Sequence, residues 1–505
     1  MRPTVYTSHS RDTYPARLFR ALLSAIIPGL GQLAAGVRRR GAMLLTIFIA
    51  VTVAAIVIVF TKGFDGIVAW VVQPKVLLTL LWVDIIVMLV RMFAVIDAWM
   101  TAKRGTLKPV RPTGGGIALT AVGMVLILAL VIVPHAVAGY YTVVSHNLLT
   151  SVFTGKTTTT TQKVTSSTGG TGTSGTGSET SSSTSTTAGE ALEWGTDGRM
   201  TILLIGTDAG FGRTGARADS MNIATLDTKT GRVAMFGLPR NTGNTPLGTR
   251  TAAALAKNPK VKTVDGKKVY TDLLNSLYTV ASSHPEIATD GGDPGAEAIM
   301  ETATLILGVK IDYYAVVDMM GLVDMVDALG GIQINLKTAL HITYAPLNEG
   351  EEKKSYVFNV GVNKLNGLEA LAYARDRSDS DDYVRMGRQR CVIMAMLYQN
   401  SVAKLTLRFP KIAAALEKSV RTNIPLETLP ELIKLRGKIK TSNMITVGFT
   451  PPDWVSGYVN GTNVLDIVKI KAAVKTILTD PDKWIAEHPT VAETGGASDC
   501  WKTTQ

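Results

Sequence analysis

From Gly41 to Phe60 the chain passes twenty residues without a charge, and a helix of that length rises about 30 Å, the thickness of a hydrocarbon core. Two more apolar runs follow closely, at 76–97 and 117–139. Three such runs in one stretch (41–141) read as membrane helices. Arg38, Arg39 and Arg40 precede the first, and Lys103, Arg104, Lys108 and Arg111 lie between the second and third. Basic loops stay on the cytoplasmic side, so everything beyond the interfacial pair Tyr140 and Tyr141 is expected outside the cell. The expectation is a multi-pass protein of the cell membrane with an extracytoplasmic head.

Residues 1–40 read as a cytoplasmic N-terminus. Within it, the apolar run Ala21 to Gly36 is short and broken by Pro28-Gly29-Leu30-Gly31, which suits a re-entrant or interfacial hairpin. The second span carries Asp84 and Arg91, seven apart and near one helix face. Pairing or snorkelling is the ordinary explanation, since neither has an obvious proton-relay partner.

From Thr154 to Ala188 the sequence is nearly all Thr, Ser and Gly, a composition that cannot bury a core. Residues 142–189 are therefore expected to be a flexible linker that holds a head near the membrane while letting it turn. Residues 190–480 alternate strand and helix patterns, giving an α/β layered head, and 481–505 form a tail. Met200 to Gly206, Met221 to Leu226, Arg232 to Leu238, Tyr313 to Val317, Gly331 to Leu336 and Met444 to Phe449 read as strands. Ala296 to Leu307, Gly321 to Ala328, a helix capped by Asn366 and running through Ala374, and Val384 to Lys404 read as helices. Cys391 and Cys500 either form one clasp or remain two separate thiols.

The net charge of +12 invites a nucleic-acid reading, yet no basic helix, zinc spacing or aromatic-basic motif accompanies it. Membrane and phosphate account for it better. Asp208 stands just past a strand and Asp219 at the approach to the next, so a strand-loop-strand brings the two together. A lone pair of this kind is more often a turn or cap feature. The arginines change the balance. Arg240 follows Leu238-Pro239, Arg375-Asp376-Arg377 ends a predicted helix, and Arg385, Arg388 and Gln389 begin another, with Arg385 and Gln389 on one face. A hard divalent cation needs carboxylate oxygens, and guanidinium forks match phosphate oxygens two at a time. The pattern points to a pyrophosphate. No Walker loop and no Ser-His-Asp or Cys-His arrangement suggests itself.

At these residues the chain resembles LytR-CpsA-Psr proteins. The matching motifs, in the family's order, are Leu204-Ile205-Gly206-Thr207-Asp208, Arg217-Ala218-Asp219-Ser220-Met221, Leu238-Pro239-Arg240, Leu274-Asn275-Ser276-Leu277-Tyr278, Ile311-Asp312-Tyr313-Tyr314, Asp327-Ala328-Leu329-Gly330-Gly331-Ile332, Leu365 through Arg375, and Arg388-Gln389-Arg390. The resemblance covers roughly Met200 to Leu478. It implies an α-β-α head with a central mixed sheet and a phosphotransferase that moves a glycopolymer from a polyprenyl-pyrophosphate carrier to a peptidoglycan hydroxyl. By the same resemblance, Asp208 and Asp219 would hold Mg²⁺ (or Mn²⁺). Arg217, Arg240, Arg375, Arg377, Arg385, Arg388 and Gln389 would hold the pyrophosphate, with Arg240, Asp219, Arg375 and Arg377 catalytic. The lipid tail would lie in an apolar groove, for which the helices around Ile299 to Leu307 and Leu322 to Val326 are candidates. A sensor without turnover and a lipid pyrophosphatase are the alternatives. The chain departs from the family pattern at Asn241, where Asp is usual, in a longer stretch from Asn241 to Leu274, and in three membrane crossings instead of one.

Overall fold

A computed structural model describes residues 13–71, 73–101, 114–155, 198–208, 216–344, 352–376, 382–399, 402–436, 438–439, 444–459, 461–488 and 500. Three of its helices are long and apolar enough to cross a membrane. They are α3 (Arg38–Val71), α4 (Pro74–Met100) and α5 (Gly114–Val152). Helix α3 is interrupted at Gly63, whose φ of 64° is a backbone setting that glycine adopts without steric cost. Helix α3 lies against the short helix Leu429–Arg436 of the head.

The hairpin expected at Ala21 to Gly36 is α1 (Tyr14–Ile26) followed by α2 (Leu30–Ala34), with Gly29 at φ 101° making the break. It is buried against α4 and α5 through Ala21 and Ala25. Buried Gln32 is held by Ser24, the Ala94 carbonyl and Asp97. Asp84 and Arg91 do not pair with each other. Arg91 donates to the Ala25 carbonyl at 2.6 Å, satisfying an orphan acceptor in the last turn of α1. Asp84 meets Nδ1 of His135 on α5 at 2.7 Å, a partner that sequence spacing did not reveal.

Helix α5 does not stop at Tyr141. It continues to Val152 and passes directly into β1 (Phe153–Gly155), so the linker expected at 142–189 begins later than the composition of the flanking segment suggested. The reason is that Thr142 to Val152 still carries a helical apolar stripe, Val144, Leu148 and Val152, which packs on the head. Most of the Thr/Ser/Gly stretch lies outside the described residues.

The head is built on a seven-stranded mixed sheet. Its strands are β1, β2 (Arg199–Thr207), β3 (Ala218–Asp227), β4 (Val233–Leu238), β5 (Tyr313–Val317), β10 (Val420–Pro425) and β11 (Met444–Gly448). Their spatial order is β1-β10-β5-β2-β3-β4-β11. The four remaining strands numbered here form two small antiparallel pairs, β6 (Ile332–Leu336) with β9 (Gly361–Leu365) and β7 (Leu340–Tyr344) with β8 (Lys354–Phe358). One sheet face carries α6 (Leu274–Ala281), α7 (Pro294–Leu307) and α12 (Ile467–Thr479), sealed by Leu203, Ile205, Phe236 and Ile299. The other carries α8 (Met319–Leu329), α9 (Gly367–Arg375), α10 (Asp382–Tyr398) and α11 (Val402–Ser419). Period-two alternation divides β2 between them: Leu203 and Ile205 enter the first core, while Leu204 and Gly206 border the second layer. The mixed α-β-α architecture is thus as expected.

Asn366 caps α9 through a full capping box with Glu369. The single helix expected over Val384 to Lys404 is two, α10 and α11. Gln399 ends the first by bonding both backbone groups of Gln333 on β6 at 2.7 Å, a side-chain competition that periodicity does not register. The long stretch Asn241 to Leu274 folds as a short helix, Thr249–Ala254, beside a small three-stranded sheet. Cys391 of α10 and Cys500 are joined as a disulfide.

Candidate active site

The ends of three neighbouring strands supply the polar residues. Asp208 follows β2 and exchanges two bonds with Arg217 before β3: its amide donates to the Arg217 carbonyl at 3.0 Å, and the Arg217 amide donates to Asp208 Oδ1 at 2.7 Å. The antiparallel pairing of β2 with β3 imposes this, because Thr207 lies opposite Ala218. Asp219 is the next residue on β3. The pairing of β3 with β4 sets Met221 against Leu238, so Arg240, two residues beyond, faces Asp219. Its Nη1 donates to Asp219 Oδ1 at 2.6 Å. Proline at 239 fixes the backbone on which this arginine leaves the sheet.

Two more groups hold Asp219. Asn275, at the start of α6, donates to its Oδ1 at 3.4 Å, and the Asn275 amide is bonded to the Arg240 carbonyl. Arg385, 2% exposed, reaches the Asp219 carbonyl at 3.4 Å from α10. Burial pushes the Asp219 carboxyl up, but Arg240, Arg385 and Asn275 together outweigh it and hold the group below the usual aspartate range. The group stays ionised.

Arg375 closes α9 and, with Arg385 and Gln389 of α10, borders the same cavity as Asp208, Arg217, Asp219 and Arg240. Arg388 does not border it. Its guanidinium turns back to the carboxylate and carbonyl of Asp376 and lies 5.8 Å from the Tyr373 ring centre. It therefore braces the end of α9, from which Arg375 projects. Arg377 lies outside the described residues. Asn275, Asp376 and Arg390 are absent from the sequence-based site, although the motif containing Asn275 and the run containing Arg390 were available as signals. Arg390 is 2% exposed, with its guanidinium against Gly237 of β4 and Gly448 of β11. A Cβ at Gly237 would stand 2.6 Å from its Nη1. Burial draws its pKa down to about 10, which leaves it charged at neutral pH.

The cavity holds about 1250 Å³, above the roughly 300–1,000 Å³ of sites for drug-sized ligands. The rest of its lining is mainly apolar, with Leu322, Met325 and Leu329 of α8, Ile393 and Met396 of α10, and Leu416 of α11, beside the polar Asp318 and Thr343. Of the two helices expected to line a groove, α8 does so. Helix α7 is on the opposite sheet face, where Ile299, Ala303 and Ile306 are fully buried in the first core.

Two carboxylates at one end of a cavity suit Mg²⁺, which keeps several waters and takes substrate phosphate oxygens alongside one or two protein ligands. Asp208 and Asp219 have that chemistry. The arrangement as a whole places fixed positive charge around one polar pocket and attaches it to a long apolar one.

The model of the LytR_cpsA_psr family matches residues 155–477. Biofilm regulatory protein A of Streptococcus mutans is 30% identical over 252 residues, covering 48% of this chain and 54% of that protein. The polyisoprenyl-teichoic acid–peptidoglycan teichoic acid transferase TagU of Bacillus subtilis is 28% identical over 232 residues, covering 46% and 61%. The chain thus spans little more than half the length of these relatives. Among solved structures, that of B. subtilis TagV is 24% identical and covers 56% of this chain and 98% of its own, with a TM-score of 0.40.

Proposed function

The chain belongs to the LytR-CpsA-Psr family, and from that premise we propose that it is a membrane-anchored phosphotransferase. It moves a glycopolymer from a polyprenyl-pyrophosphate carrier to a sugar hydroxyl of peptidoglycan. The observation that carries this reading is the single cavity with a carboxylate-guanidinium end and an apolar remainder: a diphosphate fits the first and a hydrocarbon chain the second. That two relatives carry names stating a polyisoprenyl-linked teichoic acid and peptidoglycan supports the substrate class. The basic residues flanking the apolar helices support a multi-pass anchor with the head outside the cell.

In the reaction, the acceptor hydroxyl attacks the sugar-linked phosphorus, a P–O bond to the acceptor forms, and the bridging P–O bond breaks to release polyprenyl phosphate, whose freed oxygen takes up the hydroxyl proton. Such transfer is mainly positioning and charge neutralisation. Arg240, Arg375 and Arg385 hold the diphosphate oxygens as charge moves to the leaving phosphate, while Gln389 and Arg217 flank them. Arg388 acts through Asp376 to keep Arg375 in place. Asp208 and Asp219 would hold Mg²⁺, which would supply Lewis-acid stabilisation of diphosphate charge. Asp219 is clamped by Arg240 and kept ionised, which suits an electrostatic role and makes it a weak base.

The test is to incubate the purified full-length protein with a lipid-pyrophosphate saccharide, a peptidoglycan oligomer and Mg²⁺ and to look for a phosphodiester product by mass spectrometry. Linked product is expected. Release of saccharide phosphate without linkage means a lipid pyrophosphatase, and tight lipid binding without turnover means a sensor.

A further inference from the structure

The cavity has a direction. Its polar residues follow β4 (Arg240), occupy β3 (Asp219) and follow β2 (Asp208), and its border then continues through Val317 of β5 to Val420 of β10. Gly206, Val317 and Val420 lie at one level, since Gly206 pairs with Val317 and Val317 with Val420. Three strand spacings separate β3 from β10, about 14 Å. The next strand in the sheet is β1, with Phe153 opposite Thr422. That strand is the direct continuation of α5. The apolar side of the cavity therefore points toward the point where the membrane helix joins the head.

The joint itself is packed. Helix α5 has 39 residues, about 58 Å at helical rise, nearly twice the ~30 Å hydrocarbon core. A helix of that length has turns to spare beyond one crossing. Leu148 and Val152 are buried with Ala413 of α11, and Leu416 packs on the same cluster. Lower down, Tyr141 stacks on Phe409 with ring centres 6.4 Å apart. Leu416 also borders the cavity. One helix thus touches α5 with one face and the cavity with the next.

We propose that the end of α5 with β1 is a strut that seats the apolar end of the cavity against the bilayer surface, so that a membrane-borne chain enters beside α11. Leu148, Val152 and Ala413 are positioning residues for the lipid donor. This rests on the reading of the donor as lipid-linked. A head joined only by a flexible linker would sample many orientations, and few of them would present the cavity to the lipid.

The experiment uses full-length protein reconstituted in vesicles, with two variants. In one, residues 142–147 are replaced by a Gly/Ser segment of equal length; the other is Ala413→Glu. Each is given a long-chain donor in the vesicle and a short-chain, water-soluble donor with the same diphosphate saccharide. The strut predicts a loss of about tenfold or more in kcat/KM for the long-chain donor and little change for the short one. Equal loss on both donors, or none on either, overturns it. If the wild-type protein transfers neither donor, the phosphotransferase reading fails by itself. Capture of a photoreactive polyprenyl pyrophosphate from the vesicle then decides the strut. Capture should fall by a similar factor in the Gly/Ser variant, and undiminished capture refutes it.

Discussion

Arg240→Ala separates two demands on one side chain, holding Asp219 and, in the proposed function, holding substrate phosphate. In the folded head the two side chains meet at 2.6 Å, with 20% of the arginine and 23% of the aspartate exposed. Unit charges ~4 Å apart interact by about 4 kcal/mol at an effective dielectric near 20. Residual hydration and the ordering of a long side chain cancel more than half of that, leaving a coupling of about 1–2 kcal/mol. The substitution does not abandon the carboxylate, because Asn275 and Arg385 still face it. The stability loss is therefore about 1–2 kcal/mol, below the ~3–5 kcal/mol of a stranded buried charge. Turnover falls further, by about 10²–10³, as for removal of one fixed donor to developing charge. The assay is a double-mutant cycle of Arg240→Ala, Asp219→Asn and the pair, read by denaturant unfolding and by transfer of lipid-linked saccharide. A coupling under about 0.3 kcal/mol together with undiminished turnover in Arg240→Ala refutes the assignment of this pair.

Arg375→Ala should remove transfer activity by roughly 10²-fold or more while leaving the melting temperature nearly unchanged, since the side chain borders the cavity instead of filling a core; an active variant removes Arg375 from the site. The disulfide closes a loop with a sequence separation of 109, so Cys500→Ser is expected to cost about 2–4 kcal/mol, a drop of roughly 5–12 °C by calorimetry in the absence of reductant. An unchanged melting temperature contradicts a structural role for the bond. The depressed Asp219 pKa contributes stability that is fully present above the ordinary aspartate value of 3.8 and is lost as pH falls through the lower folded value. Unfolding measured from pH 6 to about pH 2 should show a decline that is shallower in Asp219→Asn, and parallel curves for the two proteins would count against it.

Several elements are visible in local sequence because local periodicity causes them. The strand Tyr313–Val317 and the capping box at Asn366 and Glu369 have the limits that apolar spacing and cap chemistry indicate. Where the reading of the residues fell short, the cause was a distant contact. Gln399 ends α10 by bonding Gln333, Arg91 caps a helix that lies sixty-six positions away, and Arg388 turns to Asp376 although its helix start looked like part of the anion pocket. Helix α7 has the same apolar spacing as α8, yet only the sheet face it occupies makes it core instead of cavity wall.

Three apolar helices of membrane length, an α/β head and residue types suited to a diphosphate are legible along the chain, because hydrophobic period, charge placement and motif order are properties of neighbouring residues. Which residues meet depends on the fold. The order β1-β10-β5-β2-β3-β4-β11 puts Arg240 on Asp219, lays the apolar cavity toward α5 and turns the third helix of membrane length into part of the head. Strand order and register depend on contacts between segments up to hundreds of residues apart, and no local pattern records them.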